Sequence, residues 1–178
     1  MWLVAAALLQ STAVPAAAPQ PPAPPPQPVW NPAARENRQL LPAFTLGTIA
    51  PVLDAIGARY ERGDGGGLRV TFRNGRIAVL SLSSCEARGC KALSIQSFWK
   101  PATPLPGDRL DAAIEKFNQR YAFAKAYVTA DGRPSLQRYL TADYGFIRGD
   151  LAVNLLVFAD QAERLAVEFL EPLAKTGK

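Results

Sequence analysis

From residue 48 onward the apolar positions switch between two periods, about 3.6 and 2, and the switches mark out the elements. Ile49, Val52, Leu53, Ile56 and Tyr60 fall on one helical face, which predicts a first helix with Thr48 as its cap. Pro51 is tolerated there because it lies in the first turn. Gly57 and the run Gly63-Asp64-Gly65-Gly66-Gly67 end that helix. Leu68, Val70 and Phe72 then alternate with Arg69, Thr71 and Arg73, the period of a half-buried strand. Asn74-Gly75 is a strong hairpin signal. Ile77 to Leu82 reads as a mostly buried strand. Leu93, Ile95 and Ser97, alternating with Ser94, Gln96 and Phe98, give a third. Leu68 to Trp99 is thus expected as a three-stranded antiparallel meander, with Cys85 and Cys90 facing each other across its second turn.

The Pro-rich stretch Pro101 to Gly107 breaks the pattern. Asp108 opens a second helix, with Asp111 placed as in a capping box and Leu110, Ala113, Ile114 and Phe117 on its apolar face. Phe123 to Thr129 alternates as a strand, Ala130 to Pro134 is a turn, and Leu136 to Tyr144 is the return strand. Gly149-Asp150 begins a last helix. There Leu151, Leu155, Phe158, Ala162, Leu165 and Phe169 share one face, and Pro172 is its expected stop. The reading is an α+β fold in the order α-β-β-β-α-β-β-α, with a five-stranded antiparallel sheet.

Upstream of Phe44 the chain changes character. Trp2 to Leu9 is an unbroken apolar run and Ala13 to Ala18 is small and apolar, the pattern of a cleaved secretory signal. The run is shorter than the ~20 apolar residues of a membrane span. Between Pro15 and Pro32 nearly every second residue is Pro, which excludes helix and sheet and favours an extended spacer. The expected organisation is a signal peptide over 1–18, a Pro-rich disordered linker over 19–43, a folded domain over 44–172 and a flexible tail over 173–178. It implies a periplasmic or secreted protein with no integral membrane segment in the mature chain.

Composition narrows the chemistry. The chain has 178 residues, 48% of them apolar and 20% charged, enough for a packed core. Its net charge of +5 is spread without a basic run, so a nucleic-acid partner is not expected. There is no His and there are two Cys. Without His, neither Ser-His-Asp nor Cys-His activation can be built, and a Cys/His zinc site is excluded. The acids are scattered singly, so no catalytic residue, cofactor site or metal site is assigned. The glycine run does not follow a strand and open a helix, as a phosphate loop would. Asp131 lacks the second acid that a calcium loop needs, and reads as turn chemistry. Cys85 and Cys90 either pair with each other or stay free. A hairpin end can bring them within disulfide reach, and an oxidising compartment would keep the bond.

The order of elements and several segments together resemble the YbjN domain family of bacterial sensory transduction regulators. The segments are Cys85…Cys90-Lys-Ala-Leu-Ser-Ile-Gln-Ser-Phe, then Leu110…Ile114-Glu-Lys-Phe117-Asn118 running on into Arg120-Tyr-Ala-Phe123-Ala-Lys-Ala-Tyr127, then Asp131-Gly132-Arg-Pro-Ser-Leu136. The likeness covers about Leu46 to Leu170. Phe117 stands where a Trp is usual and Glu115 where an Asn is usual, whereas Asn118 matches. The paired cysteines resemble the exported branch. The resemblance implies a fold like type III secretion chaperones, in which a curved sheet backed by helices binds another protein, and it implies no catalytic residues. Asn118 either caps its helix or contacts a partner. Phe98 and Trp99, where unburied, would form a binding patch.

Three functions follow in order: a chaperone-like, protein-binding module with a regulatory role, a small-ligand or envelope-stress sensor, and a hydrolase using two carboxylates. The sequence leaves monomer against homodimer open.

Overall fold

The computed structural model describes residues 30–63, 67–100, 105 and 107–176. The expected signal peptide, the first part of the linker, most of the glycine run and residues 101–104 lie outside the described residues.

Helix α1 (Leu46–Ala55) starts one turn before Thr48. Thr45 is the cap, and Thr48 closes a capping box by donating and accepting across it. The helix ends well before Tyr60. The Gly57 N–H donates to Asp54 O and the Ala58 N–H to Leu53 O, with Gly57 at φ +70°. This is a Schellman ending, which satisfies the last carbonyls and turns the chain out of the helix. Arg59–Arg62 then forms β2, an edge strand that the helical reading of Tyr60 had absorbed.

Strands β3 (Leu68–Thr71), β4 (Ile77–Glu86), β5 (Gly89–Phe98), β6 (Lys125–Val128) and β7 (Pro134–Thr141) complete an antiparallel sheet in the order β2-β3-β4-β5-β7-β6. The sheet therefore has six strands rather than five. Helix α2 (Gly107–Arg120) joins β5 to β6. The hairpin at Asn74 is fastened from its own turn: the Asn74 amide donates to Ala159 O in the last helix, and Arg76 pairs with Glu163.

Residues 30–43 are not only a linker. They carry a 3-10 turn at Arg35–Arg38 and strand β1 (Leu40–Leu41), which pairs with β8 (Phe146–Ile147) in a separate two-stranded sheet. Trp30 packs against the core, and Asn37 is buried with its amide on Asn31 O. Ordered structure thus begins before Phe44.

The last helix, α3 (Arg148–Arg164), passes through a π-helical turn at Leu165–Leu170 into α4 (Glu171–Thr176). Pro172 does not stop it. The Glu171 N–H bonds five residues back, to Ala166 O, so the extra residue of the π turn shifts the ladder just before the proline that lacks a donor.

One core binds these pieces. Ile49, Val52 and Leu53 of α1 and Leu155, Phe158 and Leu165 of the last helix meet Val70, Leu80, Leu93, Ile95 and Leu136 of the sheet, all buried. The helices cover one face of the sheet.

Candidate functional site: the bare face and open margin of the sheet

Side chains alternate across a strand, so the residues between the core positions stand on the other face. On β4 these are Ile77, Val79, Ser81 and Ser83, on β5 Phe98, Gln96 and Ser94, and on β7 Gln137, Tyr139 and Thr141. Gln96 donates to the Tyr127 hydroxyl, and Gln137 donates to Ser94 Oγ at 3.1 Å. The face is a lattice of hydroxyls and amides with few charges. Against it stand four large exposed residues: Ile77 (42%), Val79 (36%), Phe98 (41%) and Tyr139 (53%). Val79 lies opposite Gln96, and Ser97 Oγ of β5 donates to Ile77 O at 2.7 Å. Ile77, Val79 and Phe98 therefore make a short apolar strip along the β4–β5 pair. Arg133 lies over the Phe98 ring at 5.2 Å.

Ile77 to Leu82 is accordingly not a mostly buried strand. The signal for Ile77 and Val79 was present in the sequence. Ser81 and Ser83 share their parity, and a strand that exposes two serines exposes the residues in step with them.

Phe98 and Trp99 do not form one patch, because neighbours on a strand point to opposite faces. Trp99 is half-buried against the core and lines a pocket of about 220 Å³ with Leu105, Pro134, Ala166 and Leu170. Asn118 has a different position from either expectation. It lies in the last turn of α2, where its Oδ1 accepts from Ala126 N–H at 2.8 Å and its Nδ2 donates to Ala126 O at 2.9 Å. Both ends of the amide serve as a substitute strand for β6, an edge strand. Gln161 of α3 does the same one step earlier, with Oε1 accepting from Ala124 N–H at 3.1 Å. No sequence signal pointed to Gln161.

Next to this clamp a groove of about 650 Å³ opens at the β6–β7 margin, lined by Tyr121, Phe123, Lys125, Gln137, Arg138 and Tyr139 among others. Arg138 lies 4.3 Å over the Phe123 ring and donates to Phe123 O at 2.7 Å.

The β4–β5 hairpin tip carries the disulfide. Cys85 and Cys90 are paired in register with sulfurs 2.08 Å apart and Cα atoms 3.8 Å apart. Beside it the Lys91 ammonium donates to Glu86 at 2.7 Å. That bond holds the Glu86 carboxyl below its ordinary range, with Arg88 adding to the effect, and it raises Lys91. Asp131 is likewise held low, first by the Thr129 hydroxyl that donates to it and then by Arg133, as turn chemistry requires. Among the described residues no three Cys, Asp or Glu converge as a metal site, and no helix is long and apolar enough to cross a membrane.

With this geometry in place the comparisons are decisive for the family. Residues 45–171 match the family "YbjN: Putative bacterial sensory transduction regulator". The chain belongs to the YbjN family. Among solved structures it is similar to "YbjN, a putative transcription regulator from E. coli", with TM-score 0.55 and 15% identity over 73% of this chain and 93% of that one. It is also similar to the HopA1-SchA chaperone-effector complex, with TM-score 0.45 and 12% identity over 67% of this chain and 95% of that one. No curated protein matches. The E. coli structure shows that the α+β fold of the YbjN family is shared at low identity.

Proposed function

We propose that this YbjN-family domain is a non-enzymatic protein-binding module in a regulatory system, exported and held on a Pro-rich spacer. The observation that carries the reading is the strip of Ile77, Val79 and Phe98 on a sheet face that no element of the described chain covers. Burying such a side chain is worth about 1.5–3 kcal/mol when complete, so half-exposed residues in a row favour contact with a matching apolar surface. The surrounding amides and hydroxyls give that surface direction without a charge to desolvate. The lack of His and the scattered acids support a role without catalysis. The N-terminal apolar run supports export, and a disulfide is a bond that persists in oxidising compartments.

The test is site-specific photo-cross-linking in intact cells, with the reactive residue placed at 79, at 98, and at 153 on the helical side. Discrete adducts to another protein from positions 79 and 98, with none from 153, are expected. Adducts from 153 alone would overturn the assignment of this face. Export is checked separately by mass spectrometry, where the mature N-terminus is expected near Ala17 to Pro19. A chain recovered intact from the cytosol alone would remove that half of the proposal.

A further inference from the structure

We propose that the groove at the β6–β7 margin is a strand-docking slot, which takes a short extended segment of an acidic partner polypeptide as one more antiparallel strand on β7. The proposal rests on the protein-binding reading and gives that partner a chemistry.

The argument starts from unequal strand lengths. β7 runs Pro134–Thr141, but β6 covers it only from Val128 opposite Pro134 to Lys125 opposite Gln137. In an antiparallel strand the backbone groups of successive residues point to alternate sides. Pro134 O accepts from Trp99 N–H and Ala142 N–H donates to Lys91 O, so even-numbered residues face β5. Arg133 O accepts from Thr129 N–H, so odd-numbered residues face β6. Tyr139, which lines the groove, and Thr141 just beyond it therefore turn their N–H and C=O groups toward the β6 side of β7. Among the described residues no strand lies opposite them, and both are exposed. They stand one two-residue repeat apart, ~6.8 Å, which is the register of an incoming strand.

The groove is the place a longer β6 would fill, and side chains take up the backbone groups of the two residues just before it. Ala124 N–H is taken by Gln161, and Phe123 O is held by Arg138 across the Phe123 ring. Phe123 O, the group that would face Tyr139, is thus occupied by a side chain, and β6 begins only at Lys125. The lining contains two cations, Lys125 and Arg138, and no carboxylate, so an acidic segment is the complementary one. The sheet's other margin differs. There β2 is four residues long and carries Arg59, Glu61 and Arg62, with Glu61 paired to Arg69, the charged short edge that discourages strand addition. The chain's own Pro-rich segment is a poor occupant, because proline has no N–H to donate.

The test uses the full chain and amide-resolved hydrogen exchange. In the free protein Tyr139 and Thr141 should exchange fast while Leu140 and Ala142 are protected. The probe is the capped heptapeptide Thr-Glu-Val-Thr-Val-Glu-Thr, beside a version with Lys for Glu and one N-methylated at alternate residues. The Glu probe should slow exchange at Tyr139 and Thr141 saturably. The Lys version should bind about tenfold more weakly, the N-methylated one should not bind, and Lys125→Glu should invert the charge preference. Protection of both amides in the free protein, no effect at millimolar probe, or equal binding by the N-methylated peptide would each overturn the slot. Cross-links from positions 79 and 98 report on the protein-binding reading independently, so one can fail without the other.

Discussion

Asn118 sits at the end of α2 and meets Ala126 with both atoms of its amide. The Ala126 side chain is buried, so water is a poor substitute for those two bonds. Asn118→Ala is expected to cost about 1–3 kcal/mol, the penalty for leaving a buried group without its partner, read by urea denaturation at unchanged slope. Asn118→Asp keeps the acceptor and loses the donor, so it should fall between. Glu86 and Lys91 show the opposite case, a bond at the surface. The Glu86 carboxyl is held below its ordinary value of 4.5 by the Lys91 hydrogen bond, so the folded state gains above that value and the gain is lost as pH falls through the lowered one. Lys91 is raised from 10.5, so its share is present below that value and is lost as pH rises through the raised one. The melting difference between the protein and Glu86→Gln should therefore be present at neutral pH and vanish in acid, once the pH has fallen through the lowered Glu86 value. A difference that persists there would assign the effect to packing instead.

The β4–β5 hairpin joins residue chemistry to an element. Its turn is Ala87-Arg88, closed by the cross-strand disulfide and followed by Gly89 at φ +125°. A Cβ on Gly89 would lie 2.7 Å from Thr45 Cγ2 and 2.8 Å from the Ala43 side chain. Gly89→Ala is thus expected to cost at least ~2 kcal/mol through strain and overlap together. Replacing both cysteines with Ser opens only a short loop, worth about 2 kcal/mol. Scanning calorimetry should show the double variant melting roughly 5–10 °C lower, still folded. These elements also mark what the sequence made legible. The meander and α2 were readable because their apolar residues keep one period and end on Asn-Gly or Pro-rich signals. β2 was not, since Arg59, Glu61 and Arg62 are exposed on a four-residue edge and show no apolar alternation. β1 and β8 are two residues each, too short for any period. The π turn is a shift in hydrogen bonding that leaves the helical face almost unchanged, so Pro172 alone was visible and suggested a stop. At the site, Phe98 was readable as a large residue in step with Ser94 and Gln96. The roles of Asn118 and Gln161 depend on helices meeting a strand edge far away in sequence, which no local pattern records.

At the scale of the whole molecule the sheet is asymmetric, with one face closed by α1 and the last helix and the other uncovered among the described residues. The two faces should respond to the same kind of substitution in opposite ways. Leu93 and Ile95 are fully buried under the helices, and truncating either to Ala should cost about 2–5 kcal/mol, because the cavity left behind is only partly refilled. Val79 and Phe98 lie on the same strand pair but on the open side, within one or two residues of those positions. Their side chains already meet water over more than a third of their surface, so Val79→Ser and Phe98→Ser remove little that folding has buried. Each should change stability by less than about 1 kcal/mol. If the bare face is the binding surface, these mild variants should nonetheless weaken capture of the cross-linked partner, while an open-face control such as Ser83→Ala leaves it unchanged. The measurement is paired: denaturant midpoint and recovered partner for each variant. Loss of stability and capture together at Val79 and Phe98 would mean that this face is covered in the working protein by part of its own chain. Loss of capture at intact stability separates the fold from the function, one face of the sheet for each.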